Sequence, residues 1–373
     1  MDFGLFDTWN ALFAGGTVPW DPAYDGGELL ESETYDKNFE QVDMIESAGW
    51  DYIWLGGSHF SSQASMSPQV LMLCAVMAAR TKNLKIGSSI HRPLMKLPGE
   101  QLSERALPHE RYTFDNLMLD DPFQTAEQVA IIDQVSKGRF YYGAGARSRG
   151  SDERRDYFYE FLEVFKQVWT EAHFSGFEGK YYNYPAFYEP YLSIPKPYQK
   201  PYPPMLLPVD SQESFVPMGT LGYKIAIGAG SSTHNIRGSA ILREDVKAYR
   251  QAWKDAGHSG EPTTVVRIPT LLADTKAEAD EQSEKLMDLA PGRFFSGRFG
   301  IGSTDAGSAS PDATAEVNLF GTAEEVVDKI EVLREQYGTD EIMFEVNWTS
   351  SVPREVTTNT IRILTDKVIP KFK

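Results

Sequence analysis

Several stretches of this chain put chemically capable side chains where a strand-like run gives way to a loop or helix. The first is Ser136 to Gly150, SKGRFYYGAGARSRG. Arg139 to Gly143 reads as a short buried strand, and Gly143, Ala144, Gly145 and Ala146 follow it at once. Small residues let backbone approach a ligand, while Arg147 and Arg149 offer charge to an anion. The alternative is a turn whose glycines only relieve crowding. The dinucleotide pattern G-x-G-x-x-G is not met because position 148 is Ser, so no Rossmann site is expected here. The second stretch is Leu207 to Ser214, LPVDSQES. Asp210, Ser211 and Ser214 fall where a strand passes into a helix, and hydroxyls and free N–H groups there favour a phosphate. The alternative is an ordinary helix cap by Asp210 or Ser211, worth about 1 kcal/mol.

Histidine can act as acid or base near neutral pH. His59 and His91 each follow a strand-like run, where a lone His also serves as a plain hydrogen-bonding group. His109 falls in an insert, and His173, His234 and His258 read as surface or loop residues. No H-E-x-x-H or close His/carboxylate set is present, so no metal is expected. Asp7, Asp210 and Glu345 stand at strand ends and are eligible for a paired-carboxylate hydrolase. That chemistry needs two carboxyl groups roughly 5–10 Å apart, which sequence spacing does not settle.

The elements that must position these residues alternate regularly. Strand-like runs are expected at Phe3–Phe6, Tyr52–Leu55, Leu84–Ile90, Arg139–Gly143, Met205–Val209, Tyr223–Ile227, Val265–Leu272 and Glu341–Val346. Helical spacing is expected over Thr34–Ala48, Pro68–Ala79, Pro122–Val135, Asp152–Trp169, Ser211–Leu221, Ala240–Ala256, Lys276–Leu289, Thr322–Tyr337 and Arg354–Ile369. Such alternation implies a parallel sheet covered on both faces. Eight strands are the number that closes a (β/α)8 TIM barrel, so we expect an α/β chain, 1–373, forming a single barrel domain. Inserts interrupt it at about 92–120, 174–204 and 291–318. The first and third should overhang the barrel mouth, the third as a lid. The middle one, rich in Tyr and Pro, should be an extended strap on the outside.

Composition narrows the function classes. The 373 residues carry a formal charge of −17, which should repel nucleic acid and anionic membrane surfaces. A single cysteine excludes an internal disulfide framework, and Cys74 sits in an apolar context. No run of about 18 apolar residues and no charged-then-apolar leader is present. The expectation is a soluble cytoplasmic protein.

D-Q-V-S-K-G-R-F, followed by two aromatics and a glycine, resembles the bacterial luciferase-like, flavin-dependent monooxygenases. Other segments support the resemblance in order: FGLF at Phe3–Phe6; ESAGWDYIWLGGSHF at Glu46–Phe60; LKIGSSI at Leu84–Ile90; DPFQTAEQ at Asp121–Gln128; LPVDSQES at Leu207–Ser214; and FGTAEEV at Phe320–Val326. The resemblance spans nearly the whole chain except the inserts. It implies a TIM barrel that binds reduced FMN, supplied by a separate flavin reductase in a transient encounter. O2 would react to give a flavin hydroperoxide that oxygenates a small organic substrate.

It also implies site residues. Ser88 and Ser89 back the flavin ring, at a strand end that in the family often holds a non-proline cis peptide. Glu127 supports the cofactor site. Gly145 and Arg147, with Asp210, Ser211 and Ser214, serve the phosphate, and Arg154 or Arg155 are alternatives to Arg147. His59 and His91 are the catalytic candidates. The chain departs from luciferase proper in two places. Ser58 stands where the first of two adjacent histidines is usual, and Ala146 stands where an arginine is. Relatives are commonly dimers through helices beside strands two and three, so a homodimer is expected. The alternatives are an F420-dependent oxidoreductase of the same superfamily and a flavin-binding relative without turnover.

Overall fold

The computed structural model describes residues 1–12, 26–57, 65–93, 120–145, 152–209, 212–227, 239–289, 318–348 and 352–373. His59, Arg147, Asp210 and Ser211 lie outside these residues, as do most of the inserts at 92–120 and 291–318.

The strands are β1 (Asp2–Asp7), β2 (Tyr52–Leu55), β3 (Lys85–Ser88), β4 (Phe140–Gly143), β5 (Phe177–Glu178), β6 (Asn183–Tyr184), β7 (Met205–Pro208), β8 (Lys224–Ile227), β9 (Thr264–Leu272), β10 (Leu319–Gly321) and β11 (Glu341–Glu345). The α-helices are α1 (Glu31–Ser47), α2 (Val70–Arg80), α3 (Pro122–Ser136), α4 (Asp152–Thr170), α5 (Phe215–Leu221), α6 (Ser239–Asp255), α7 (Lys276–Leu289), α8 (Ala323–Tyr337) and α9 (Arg354–Ile363). Hydrogen-bonded neighbours run β9-β11-β1-β2-β3-β4-β7-β8, and β8 pairs back to β9. That is a closed parallel barrel of eight strands, the fold expected. β10 adds to the upper end of β9, and β5–β6 form a separate antiparallel pair.

Packing divides the chain into two compact units. Unit 1 comprises Met1–Trp54, Gln63–Met66 and Leu206–Lys373; unit 2 comprises Leu55–Ser62 and Ser67–Met205. In unit 1, β1 and β11 keep strict parallel register, Gly4 opposite Met343 and Phe6 opposite Glu345. Phe3 and Phe344 stack at 5.7 Å, with Phe372 of the carboxyl terminus 5.6 Å from Phe3 and Trp50 edge-on to Phe344. Those rings define the outer face of the strands. Alternation then turns Gly4, Phe6, Met343 and Glu345 toward the barrel interior. Gly4 is required there: a Cβ would stand 2.8 Å from Trp54 Cδ1 and 2.9 Å from Tyr52 Cβ. α8 begins with a capping box, in which Thr322 and Glu325 take each other's backbone N–H groups.

In unit 2, α3 starts and stops as its sequence dictates. Asp121 Oδ1 accepts from the N–H groups of Phe123 and Gln124, and Pro122 occupies the first turn. Lys137 takes a left-handed conformation (φ 55°) and Gly138 follows at φ 82°. Arg139, just before β4, then lays its guanidinium across the end of α2. It donates to the carbonyls of Ala78, Thr81, Leu84 and Ser136 and to Thr81 Oγ1, at 2.6–3.0 Å. These carbonyls end a helix or a turn, so a cation satisfies both their lone pairs and the dipole.

The Tyr/Pro segment is the outer strap expected, but it contains the β5–β6 pair and is pinned at several points. Buried Asp133 of α3 accepts from Gln199 N and Gln199 Nε2, both at 2.8 Å. Gln134 Nε2 donates to Lys196 O, and Lys196 Nζ donates to Val168 O and Glu171 O of α4 and the turn after it. Phe123, Phe174, Tyr184 and Phe187 pack as one aromatic group.

Candidate active site

At the carboxyl end of β3 and β4, in unit 2, hydrogen bonding continues beyond the strands. His91 N donates to Gly143 O (2.8 Å), and Gly145 N donates to His91 O (3.1 Å). The Ser88 hydroxyl, fully buried, donates to Gly143 O at 2.8 Å and accepts from Gly143 N at 3.0 Å. It fastens the two strands at their rim. The Ser89–Ile90 peptide is cis, at the strand end where the resemblance places one.

His91 stands on this rim with both ring nitrogens engaged. Nδ1 lies 2.9 Å from Tyr142 Oη, and Nε2 lies 2.7 Å from Asp120 Oδ2. Tyr142 is wholly buried, and burial, with the charge of Asp120 adding to it, holds its phenol well above the usual range. The phenol therefore keeps its proton and, to a neutral imidazole, donates that proton's hydrogen bond at Nδ1. A carboxylate only accepts, so Nε2 carries the ring proton toward Asp120. Asp120 also donates its N–H to Pro93 O, and Asp121 next to it caps α3. The histidine ring is thus fixed in one tautomer by a buried phenol on one side and a half-exposed carboxylate on the other. Glu127 lies on the exposed face of α3, on the same stripe as Ile131 and Val135.

At the carboxyl end of β1, in unit 1, Asp7 is buried and both its oxygens are used. Oδ1 accepts from Trp9 N (2.7 Å) and Oδ2 from Gln41 Nε2 (2.8 Å). Burial pushes its carboxyl up to about 6, against those hydrogen bonds and Arg354, which hold it down. Asn10, 7% exposed, accepts from Thr8 Oγ1, but among the described residues its buried Nδ2 has no partner. An orphaned buried amide is costly unless a ligand takes its proton.

The interior of the same strands holds two carboxylates. Trp54 Nε1 donates to Glu341 Oε1 at 2.5 Å. Arg267 of β9 makes a two-pronged contact with Glu345, Nε to Oε2 at 3.1 Å and Nη2 to Oε1 at 2.5 Å. With Asp7 and Glu345 both tied to partners, neither offers the free carboxylate a glycosidase needs. Ser214 closes a short 3-10 turn (Gln212–Ser214) ahead of α5, where one continuous helix was expected. Its side chain makes no cap bond to that helix.

Tyr142, Asp120 and Arg267 were not among the residues picked from the sequence. The available signals were a tyrosine inside a buried strand, an acid directly before the Asp-Pro cap, and one arginine in the apolar run VVRIPTLL. Cys74 is buried, and burial drives its thiol well up. Among the described residues no group of three or more His, Cys, Asp or Glu is placed to hold a metal, and no helix is long and apolar enough to cross a membrane.

Comparison with known proteins agrees with the barrel. An FMNH2-dependent dimethylsulfone monooxygenase of Pseudomonas putida is 23% identical over 352 residues, covering 84% of this chain and 86% of that protein. The crystal structure of a monooxygenase from Streptomyces bottropensis superposes with a TM-score of 0.74 at 18% identity, covering 100% of both chains. The oxygenating constituent of 3,6-diketocamphane monooxygenase from the CAM plasmid of Pseudomonas putida, a type II Baeyer–Villiger enzyme solved with FMN, gives 0.69 at 20% identity, covering 100% of this chain and 99% of that one. The model of the luciferase-like monooxygenase family matches residues 3–100 and 115–341. With most of its length matched by that model and its eight strands closed in parallel, the chain belongs to the luciferase-like monooxygenase family.

Proposed function

We propose that this protein is the oxygenase of a two-component system. It takes reduced FMN from a separate flavin reductase, uses O2, and delivers one oxygen atom to a small organic substrate while the other leaves as water. The observation that carries the reading is the β3–β4 rim, where Tyr142 and Asp120 engage both ring nitrogens of His91. Among the described residues, buried Asn10 of unit 1 has a side-chain N–H2 that nothing accepts from, which suits a carbonyl edge such as that of a flavin ring. The resemblance gives the phosphate to Arg147, Asp210, Ser211 and Ser214, and His59 remains a catalytic candidate that could donate to the flavin or the substrate. Reduced FMN, when bound, supplies the electrons that activate O2.

The chain's own part is to bind, orient and keep water out. Because both ring nitrogens of His91 are engaged, it acts first as a positioning residue, holding the Tyr142 proton and the β3–β4 rim in place. Anaerobic titration with reduced FMN and with reduced F420 tests the reading. Binding of reduced FMN alone supports it, and binding of reduced F420 alone replaces oxygen transfer with hydride transfer.

A homodimer is part of this proposal. Met72 (68% exposed) and Val76 on α2, and Ile131 and Val135 on α3, leave an apolar stripe on two helices that pack against each other. Sedimentation velocity should give twice the chain mass; a monomer at micromolar concentration removes this part.

A further inference from the structure

We propose that the free edge of Arg267, oriented by Glu345 and Phe6, is the polar anchor for the substrate, and that it selects a neutral molecule with a hydrogen-bond-accepting oxygen of the carbonyl type. This rests on the oxygenase reading above.

The placement follows from register. Arg267 lies opposite Met343, and Glu345 opposite Phe6, so all these side chains share the inner face of unit 1's strands. Glu345 is the last residue of β11 and Phe6 the next-to-last of β1. Arg267 starts lower on β9 but reaches up to both, its guanidinium carbon 3.4 Å from the centre of the Phe6 ring. The charged head therefore sits at the carboxyl ends of these strands, where barrel enzymes place their chemistry.

The pair is asymmetric in a way that stability does not require. Glu345 consumes Nε and Nη2, and among the described residues nothing accepts from Nη1. The Arg267 side chain keeps 12% of its surface exposed against 4% for Glu345, so the opening lies on the arginine's side of the pair. An apolar pair of the same volume would serve the fold as well or better than a buried ion pair. What the ion pair adds is a rigid N–H edge that Glu345 leaves unused.

Charge then decides the ligand class. Arg267 and Glu345 together are neutral, and Glu345 is held within hydrogen-bond reach of the cation. An incoming carboxylate would meet a guanidinium whose charge Glu345 already offsets, with the repelling Glu345 charge on its other edge. A carbonyl-type oxygen gains the N–H dipoles without that repulsion.

Acetophenone and benzoate provide the test, being nearly the same shape and differing in charge. Their binding to the FMN-loaded protein is measured by ligand-observed NMR at pH 8, with FMN affinity measured separately by flavin fluorescence. Wild type should bind acetophenone at least tenfold tighter than benzoate. R267M/E345L, which removes the pair without leaving a buried charge, should lose acetophenone affinity at least fivefold with FMN affinity unchanged. E345Q, which leaves the cation unneutralised, should reverse the preference toward benzoate. Thermal melts establish folding. If E345Q does not fold, R267K takes its place and should lose acetophenone binding as the double variant does. Equal binding of the two probes by wild type, acetophenone binding unchanged in R267M/E345L, or no binding of either probe to FMN-loaded protein overturns the anchor. Failure of wild type to bind reduced FMN under anaerobic conditions instead overturns the oxygenase reading.

Discussion

Asp120 Oδ2 lies 2.7 Å from His91 Nε2, although the two residues are 29 positions apart and bracket the insert that follows β3. The contact orients the imidazole and closes the neck of that insert at once. Replacing Asp120 with Asn removes the charge and lets the partner donate as well as accept, so the ring is no longer held in one tautomer. A charge-assisted hydrogen bond is worth roughly 1.5–3 kcal/mol. We expect D120N to slow oxygen consumption with bound reduced FMN about tenfold, with FMN affinity little changed. An unaltered rate and pH profile would reduce the pair to loop closure.

Asp7 gives a stability prediction with a definite sign. Its folded carboxyl titrates at about 6, above its ordinary value of 3.8, because burial opposes the charge. The folded state therefore holds this proton more tightly than the unfolded chain. The associated stability is complete below about pH 4 and is lost as pH rises through about 6. The shift corresponds to about 3 kcal/mol. In D7N that segment of the pH dependence should flatten in urea melts between pH 4 and 7. The same slope in the variant would place the titration on another group.

Asp133 and Gln199 hold the outer strap to α3. Without the Gln199 side chain the buried Asp133 carboxylate loses one of its donors, and Phe140 O loses one as well. Q199A should cost about 2–3 kcal/mol, and limited proteolysis should first cut within residues 185–204. Loss of stability with cleavage starting elsewhere would mean the strap is held chiefly by its aromatic contacts.

How much of this was legible in the chain depends on where the information sits. The barrel strands announce themselves as short apolar runs, and Lys276–Leu289 was bounded correctly by its helical spacing alone. The β5–β6 pair was not visible, since each strand is two residues long and lies among tyrosines without alternation. β10 was hidden for a similar reason: its three residues pair with Thr270–Leu272 but sit between an insert and a helix start. The site was less legible than the fold. His91 could be picked as a histidine after a strand, but Tyr142 and Asp120 are its partners only because β4 lies beside β3 and the insert returns to it. Arg267 and Glu345 meet through a register that no local pattern encodes. Glu127 and Ser88 drew attention through the family motif. The first stands on an exposed helix face, and the second spends its hydroxyl on Gly143.

Arg139 is a further case in which shape matters more than charge. Lysine retains the cation but cannot serve the several carbonyls that the planar fork reaches. R139K should lower thermal stability by about 2–4 kcal/mol, read as a shift in the urea midpoint, while FMN affinity per folded molecule stays the same. A fall in FMN affinity at unchanged stability would move Arg139 into the cofactor site.

That arginine belongs to the very run of residues by which the chain is recognised, yet it works at the amino end of its strand, away from the rim. The signature thus records how one helix is stopped and the next strand launched. A descendant could discard the reaction entirely and still carry those letters, because what they protect is the scaffold's lifetime. Resemblance through this motif is a statement about ancestry and architecture, and the chemistry has to be read from the opposite end of the barrel.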